Sequence, residues 1–174
     1  MKITRHPVDP GPAGWACLLP EPPKAETLQS TETADFLIIG AGFAGLTAAR
    51  RLAQLNPQAR IILLDAVRVG DGPAGRNSGF MIDLPHDLAS TDYGGALDSD
   101  RAQIENNRRA IAFAADMADS FAMPEGVFDP SGKINGAASA KGHSHNLDYA
   151  RHLDALGEAY ELLDAAQMLS LIHI

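Results

Sequence analysis

Cysteine is almost missing from this sequence: Cys17 stands alone among 174 residues. One thiol excludes an internal disulfide framework and any zinc or iron–sulfur site built from several cysteines, and it fits a reducing compartment. Basic clusters are missing too. Lysine and arginine total 14 against 22 acidic residues, giving a net charge of −8 and a pI of about 5.1, so neither nucleic acid nor an anionic membrane surface is an expected partner. No apolar run approaches the length that crosses a bilayer. The opening residues include Lys2 and Arg5 but continue as His6-Pro-Val-Asp-Pro-Gly-Pro rather than as the apolar core of a secretion signal. The expected compartment is therefore the cytoplasm. What is left is the length and composition of one ordinary globular domain with a real core.

Proline is present but unevenly spread. More than half of the eleven prolines fall within residues 1–33, around Trp15, Leu18 and Leu19. At that density they break helix and central strand, so the sequence predicts an extended arm laid over the surface with Trp15 as its anchor. Then the pattern changes. Phe36–Ile39 is an apolar run of strand length; it stops at Gly40-Ala-Gly42-Phe43-Ala44-Gly45 and opens into a helical pattern of Leu46, Ala49, Leu52 and Leu55, closed by Asn56-Pro57. A second apolar run, Ile61–Leu64, ends on Asp65. In such a turn Gly40 makes the bend, Gly42 lets a pyrophosphate approach bare backbone, and Gly45 lets the helix lie close on the sheet. Phosphate charge then meets the unpaired N–H groups of the first helical turn, where Phe43 and Ala44 lie. Asp65, with Ala66 behind it, offers a carboxylate to the hydroxyls of an adenosine ribose. This is the pattern of an adenine-dinucleotide site.

The next stretch decides which dinucleotide. In a nicotinamide-binding domain a helix and a third strand usually follow the acid. Here Val69-Gly-Asp-Gly-Pro-Ala-Gly75-Arg76-Asn77-Ser78-Gly79-Phe80 forms a second glycine-rich loop, expected to be too flexible for helix and suited to placing backbone N–H groups against a flat polar ring or a pyrophosphate. The first glycine motif, Asp65 and Gly75-Arg-Asn-Ser-Gly-Phe80 together resemble the opening of the FAD-dependent oxidoreductases of the D-amino-acid oxidase and glycine oxidase superfamily. Trp15, the proline-rich run and Thr33-Ala-Asp35 resemble, more narrowly, its γ-glutamylputrescine oxidoreductase-like branch. The resemblance implies FAD, with its pyrophosphate at Gly40, Gly42 and Gly45, its ribose at Asp65, and its flavin end beside Arg76 to Gly79. It implies a small amine or amino acid as substrate, whose C–N bond is oxidised. Hydride leaves the carbon next to nitrogen for the flavin, the imine hydrolyses, and oxygen or another acceptor takes the electrons. One departure is Asp65 itself, since the ribose acid of this superfamily is often the longer Glu.

Downstream, Met81 to Gly95 reads as loop, with His86 as a solvated residue. Leu97-Asp-Ser-Asp starts a helix that runs to about Met123 with Ile104, Ile111, Ala115, Ala118 and Ala122 on its core face. Arg108 and Arg109 are expected to be solvated or paired with acids. Gly126 to Ala138 reads as short strands around Asp129-Pro-Ser-Gly132 and Asn135-Gly136. Another helix follows, with Tyr149, Leu153, Leu156 and Tyr160 at core spacing and Gly157 as a break. The spacing of His143, His145 and His152 does not put three imidazoles on one helical turn, so no metal is expected. Leu169-Ser-Leu-Ile-His-Ile174 can be encoded by a widely used sequencing-adapter end translated in frame, and these residues are read as a non-native tail on an N-terminal fragment. The expected fold class is α/β: a proline-rich arm (1–33), the N-terminal part of a Rossmann-like FAD-binding domain with an incomplete parallel sheet (34–122), and the start of a mixed α/β substrate domain (123–168). No residue presents itself as a catalytic base. The competing readings are a flavoprotein hydroxylase or NAD-dependent dehydrogenase built on the same first motif, and an inactive truncated piece.

Overall fold

Both apolar runs are strands. In the computed structural model, which describes residues 5, 8–9, 11–19, 21, 26–84 and 97–171, β1 (Phe36–Ile39) and β2 (Ile61–Leu64) pair in parallel, with Phe36 opposite Ile61 and Ile39 opposite Leu64. The ladder is extended at both ends by Asp35 N–H to Arg60 O (2.9 Å) and Gly40 N–H to Leu64 O (2.7 Å). The crossover is α1 (Phe43–Leu55), which ends where expected: the Asn56 backbone and side chain both bond to Leu52 O, and Pro57 follows. Alternation along β1 turns Phe36 and Ile38 inward while Leu37 and Ile39 stand 59% and 82% exposed. The fold class is thus α/β with a small parallel sheet.

Two expectations for this first unit (Met1–Phe80) change. The arm is not wholly extended: Trp15–Leu18 makes one 3₁₀ turn, with Cys17 N–H on Ala13 O and Gly14 O. The prolines do not prevent it, because residues 13–19 contain none. The second glycine-rich loop is likewise not free of helix, since Pro73–Arg76 forms a 3₁₀ turn in which the fixed φ of Pro73 suits the first position.

The second unit (Met81–Ile174) holds α2 (Leu97–Ser120), α3 (Ala140–Leu156) and α4 (Ala165–Leu171). Within this unit α2 packs on α3. Asp98 and Asp100 sit in the first turn of α2, where the helix dipole favours them. The helix stops short of Met123: Ala122 takes a left-handed conformation (φ 46°) and Met123 N–H returns to Ala118 O (2.9 Å), as suits a residue that Pro124 bars from the α region. Ala122 is consequently exposed, not core, whereas Ile104 is buried and Ile111, Ala115 and Ala118 are half-buried. α3 starts at Ser139, whose Oγ accepts from Gly142 N–H (3.1 Å), and ends in a Schellman turn at Gly157, with Glu158 N–H on Leu153 O (3.0 Å). Tyr149, Ala150 and Leu153 are buried, but Tyr160 lies beyond that stop and is exposed. The strands expected over 126–138 do not form. Gly126 and Gly132 have φ near +84° and the segment finds no ladder partner among the described residues, so its carbonyls serve elsewhere, as when Asn135 O accepts from Asn146 Nδ2 (2.9 Å). His86 lies outside the described residues.

A Cβ placed on Gly45 would stand 1.8 Å from Gly40 O and 3.4 Å from Ile38 Cγ2. Backbone must yield, so Gly45→Ala is expected to lower the unfolding free energy by about 1–3 kcal/mol in urea titrations. A change below about 0.5 kcal/mol would show that α1 is free to shift off the sheet.

Candidate cofactor site

The first glycine turn is fixed from three sides. Gly40 takes φ +102°, a conformation that residues with a Cβ rarely adopt. Ala41, only 1% exposed, donates its N–H to Asp65 Oδ2 (2.6 Å), and its carbonyl accepts from Gly70 N–H (3.1 Å). Gly42 is the N-cap of α1 and provides no side-chain cap, so the N–H groups of the first turn, at Phe43 and Ala44, have no side-chain partner at the cap. Gly42 itself is not glycine for the chain's sake. An added Cβ would meet only Ala74 Cβ, at an ordinary 3.7 Å, in extended backbone that any residue adopts. Space is therefore open beside the helix N-terminus, where unpaired N–H groups favour an anion.

Asp65 closes β2 beside that turn. Its second oxygen accepts from Val67 N–H (3.0 Å), and the backbone N–H groups of Ala41, Val67 and Ala66, in that order, hold its carboxyl below the usual carboxylate range. It is ionised, exposed and acceptor-only, with lone pairs left for hydroxyl groups.

The second glycine-rich loop lies in the same unit, bound to the first through Gly70. Gly75 is packed tightly: a Cβ there would sit 2.2 Å from Gly70 O and 3.1 Å from Ala13 Cβ. Arg76 does not project its guanidinium away from the loop but donates Nε–H to Asp71 O (3.0 Å) and an NH2 hydrogen to Gly11 O (2.7 Å). The Asn77 side chain donates to Ala74 O and accepts from Gly79 N–H (2.7 Å). Ser78 is exposed, and Gly79 has φ +80° with its α-carbon face against the Trp15 ring. Trp15 does anchor the arm: its Nε1–H donates to Asn77 O (2.8 Å). The arm and loop line a cleft of about 470 Å³ that includes Trp15, Leu18, Gly75, Arg76 and Asn77.

Sequence reasoning missed Asp71. This carboxylate is 2% exposed, accepts from Ala13 N–H (3.0 Å) and pairs with Arg68, which also grips Asp9 through two bonds of 3.0 and 2.9 Å. The Ala13 amide first and the Arg68 guanidinium second hold Asp71 below the usual carboxylate range, and Arg68 does the same for Asp9. A signal was there in Gly70-Asp71-Gly72, an acid set between two glycines. In the other unit, His152 Nε2 lies 2.7 Å from Asp100 Oδ2, which gives that buried imidazole a partner across α2 and α3, while His143 is exposed. Arg108 meets Asp83 (2.9 Å) and Glu158 (2.6 Å), and Arg109 meets Glu105. Among the described residues no three His, Cys, Asp or Glu side chains gather as metal ligands.

Because the folded Asp71 pKa is depressed, its stabilisation of the arm is complete above the unfolded value of about 3.9 and is lost as pH falls through the folded value. Acrylamide quenching of Trp15, the chain's single tryptophan, is expected to stay constant from pH 8 to about 5 and to rise below about pH 4. Asp71→Asn is expected to show the raised quenching already at pH 7. Quenching of Asp71→Asn equal to wild type at pH 7 would mean that this carboxylate does not hold the arm.

The family model described as FAD dependent oxidoreductase, DAO, matches residues 35–173. Among curated proteins, the probable oxidoreductase OrdL of Rhizobium meliloti is 40% identical over 75 residues, 43% of this chain and 17% of that protein. The OrdL of Haemophilus influenzae is 46% identical over 52 residues, 30% of this chain and 12% of that protein. The gamma-glutamylputrescine oxidoreductase of Escherichia coli is 35% identical over 57 residues, covering 33% of this chain and 13% of that protein. These matches thus span less than a fifth of the length of each relative. No solved structure matches significantly. With the family model covering most of its length and both glycine loops where that model begins, the chain belongs to the DAO family of FAD-dependent oxidoreductases.

Proposed function

We propose that this chain is the FAD-anchoring N-terminal part of an oxidoreductase that oxidises a C–N bond of an amine or amino acid. The observation that carries the reading is the opening left at Gly42, at the uncapped start of α1 and next to an ionised Asp65. Gly40, Gly42, Phe43, Ala44 and Gly45 present backbone to the pyrophosphate; Asp65 accepts from the ribose hydroxyls, with Ala66 helping to fix its carboxylate. Gly75, Arg76, Asn77, Ser78 and Gly79 serve the flavin end. The bonds made by Arg76 and Asn77 imply that they do so by shaping the loop, so that backbone rather than charge faces the ring. Bound FAD supplies the acceptor for the hydride that leaves the carbon next to nitrogen.

An amine or amino-acid substrate is favoured by the name of the Escherichia coli relative. The acidic balance of the chain and the absence, among the described residues, of any helix long and apolar enough to cross a membrane agree with a small-molecule enzyme of the cytoplasm. Residues 34–122 belong in this reading to the FAD-binding domain, and the chain from 123 opens the substrate domain.

The decisive experiment is the visible spectrum of the full-length protein before and after anaerobic addition of a panel of amines and amino acids. Flavin bands that bleach with one of them support the reading; a colourless protein that binds nicotinamide dinucleotide overturns it. At residue level, Gly42→Ala is expected to weaken FAD binding at least tenfold while changing unfolding free energy by less than about 1 kcal/mol, since the chain itself accommodates the methyl group. FAD affinity equal to wild type would remove Gly42 from the pyrophosphate contact.

A further inference from the structure

We infer that the N-terminal arm is a working part of the cofactor site: Asp9, Arg68, Asp71 and Trp15 form a clasp that holds the second glycine-rich loop in the conformation that meets the cofactor. This rests on the reading of that loop as the flavin-end contact. The arm touches the loop at four separate points. Arg68 bridges Asp9 of the arm to Asp71 of the loop. Asp71 in turn accepts from Ala13 N–H (3.0 Å), Arg76 reaches back to Gly11 O (2.7 Å), and Trp15 Nε1–H donates to Asn77 O (2.8 Å). Each point lies within the loop's glycine-rich span or directly before it, and Gly75 and Gly79 are the glycines that let Ala13 and the Trp15 ring come close.

The physical need is plain. A loop carrying glycines at 70, 72, 75 and 79 has much backbone freedom to lose when a ligand orders it. A clasp that has already ordered it removes that cost from binding. Asp71 is the centre of the clasp, being buried at 2% exposure with a guanidinium and an amide for partners. Asp9 and Trp15 act on the cofactor only through the loop, so they are positioning residues.

Coupling of this kind is reciprocal: whatever factor the closed arm adds to FAD affinity, FAD must add to arm closure. In the full-length protein, Asp9→Asn and Trp15→Phe change exposed side chains. Each is expected to raise the FAD dissociation constant about threefold and the pair about tenfold, read by flavin fluorescence. FAD is also expected to slow amide hydrogen exchange at Ala13 and Cys17 in the wild type, and to slow it less in the double variant. The exchange measurement on wild type needs no variant and stands even if one folds poorly. If wild type binds FAD but exchange in the arm is indifferent to it, or if the double variant keeps wild-type affinity, the clasp is overturned while the FAD reading survives. If wild type binds no FAD, the reading of the loop fails and the clasp with it.

Discussion

The short hydrogen bond from Ala41 N–H to Asp65 Oδ2 (2.6 Å) is the contact on which the first unit depends. It joins the end of β2 to the turn that follows β1, and so fixes the direction in which α1 leaves the sheet. Ala41's carbonyl is held as well, by Gly70 N–H, which ties the second loop to the first. With both peptide groups committed and its methyl buried, Ala41 has no freedom left. The carboxylate doing this is the same one that faces the ribose in the proposed function, and its ionised state serves both tasks: a charged acceptor makes a stronger bond to an amide than a neutral one.

Electrostatics takes over where apolar packing is thin. Among the described residues no large side chain is fully buried, and the buried residues of the first unit are Ala13, Ala41 and Asp71. Small residues let backbones approach, and a buried carboxylate then ties those backbones together. Such a centre is directional in a way that an apolar one is not. Removing one partner leaves the rest desolvated and unpaired, so it resists partial opening.

Local signals were legible in the sequence and long-range ones were not. The strand–turn–helix unit could be read because each part carries its own mark: the apolar runs, the glycine spacing, Asn56-Pro57 and the closing acid. The α3 stop at Gly157 was legible for the same reason. Asp71 was not, because its meaning lies in Ala13 and Asp9, 58 and more residues away. Residues 126–138 carry genuine turn signals, but a strand is defined by its neighbour, and no periodicity shows that the neighbour is absent. The sequence places Arg76 beside the flavin end without saying what its guanidinium does. Only the fold shows two backbone carbonyls within its reach.

The exposed face of β1 has a kinetic consequence. Leu37 and Ile39 present bare apolar surface beside a ladder that, among the described residues, has two strands and an unpaired edge on each side. Such a surface pairs as readily with another molecule as with a covering layer of its own. The two outcomes scale differently: covering is first order in protein, whereas pairing between molecules is second order. Yield from a refolding mixture therefore turns on dilution, and synthesis in a cell turns on how briefly this ladder stands uncovered as the nascent chain emerges.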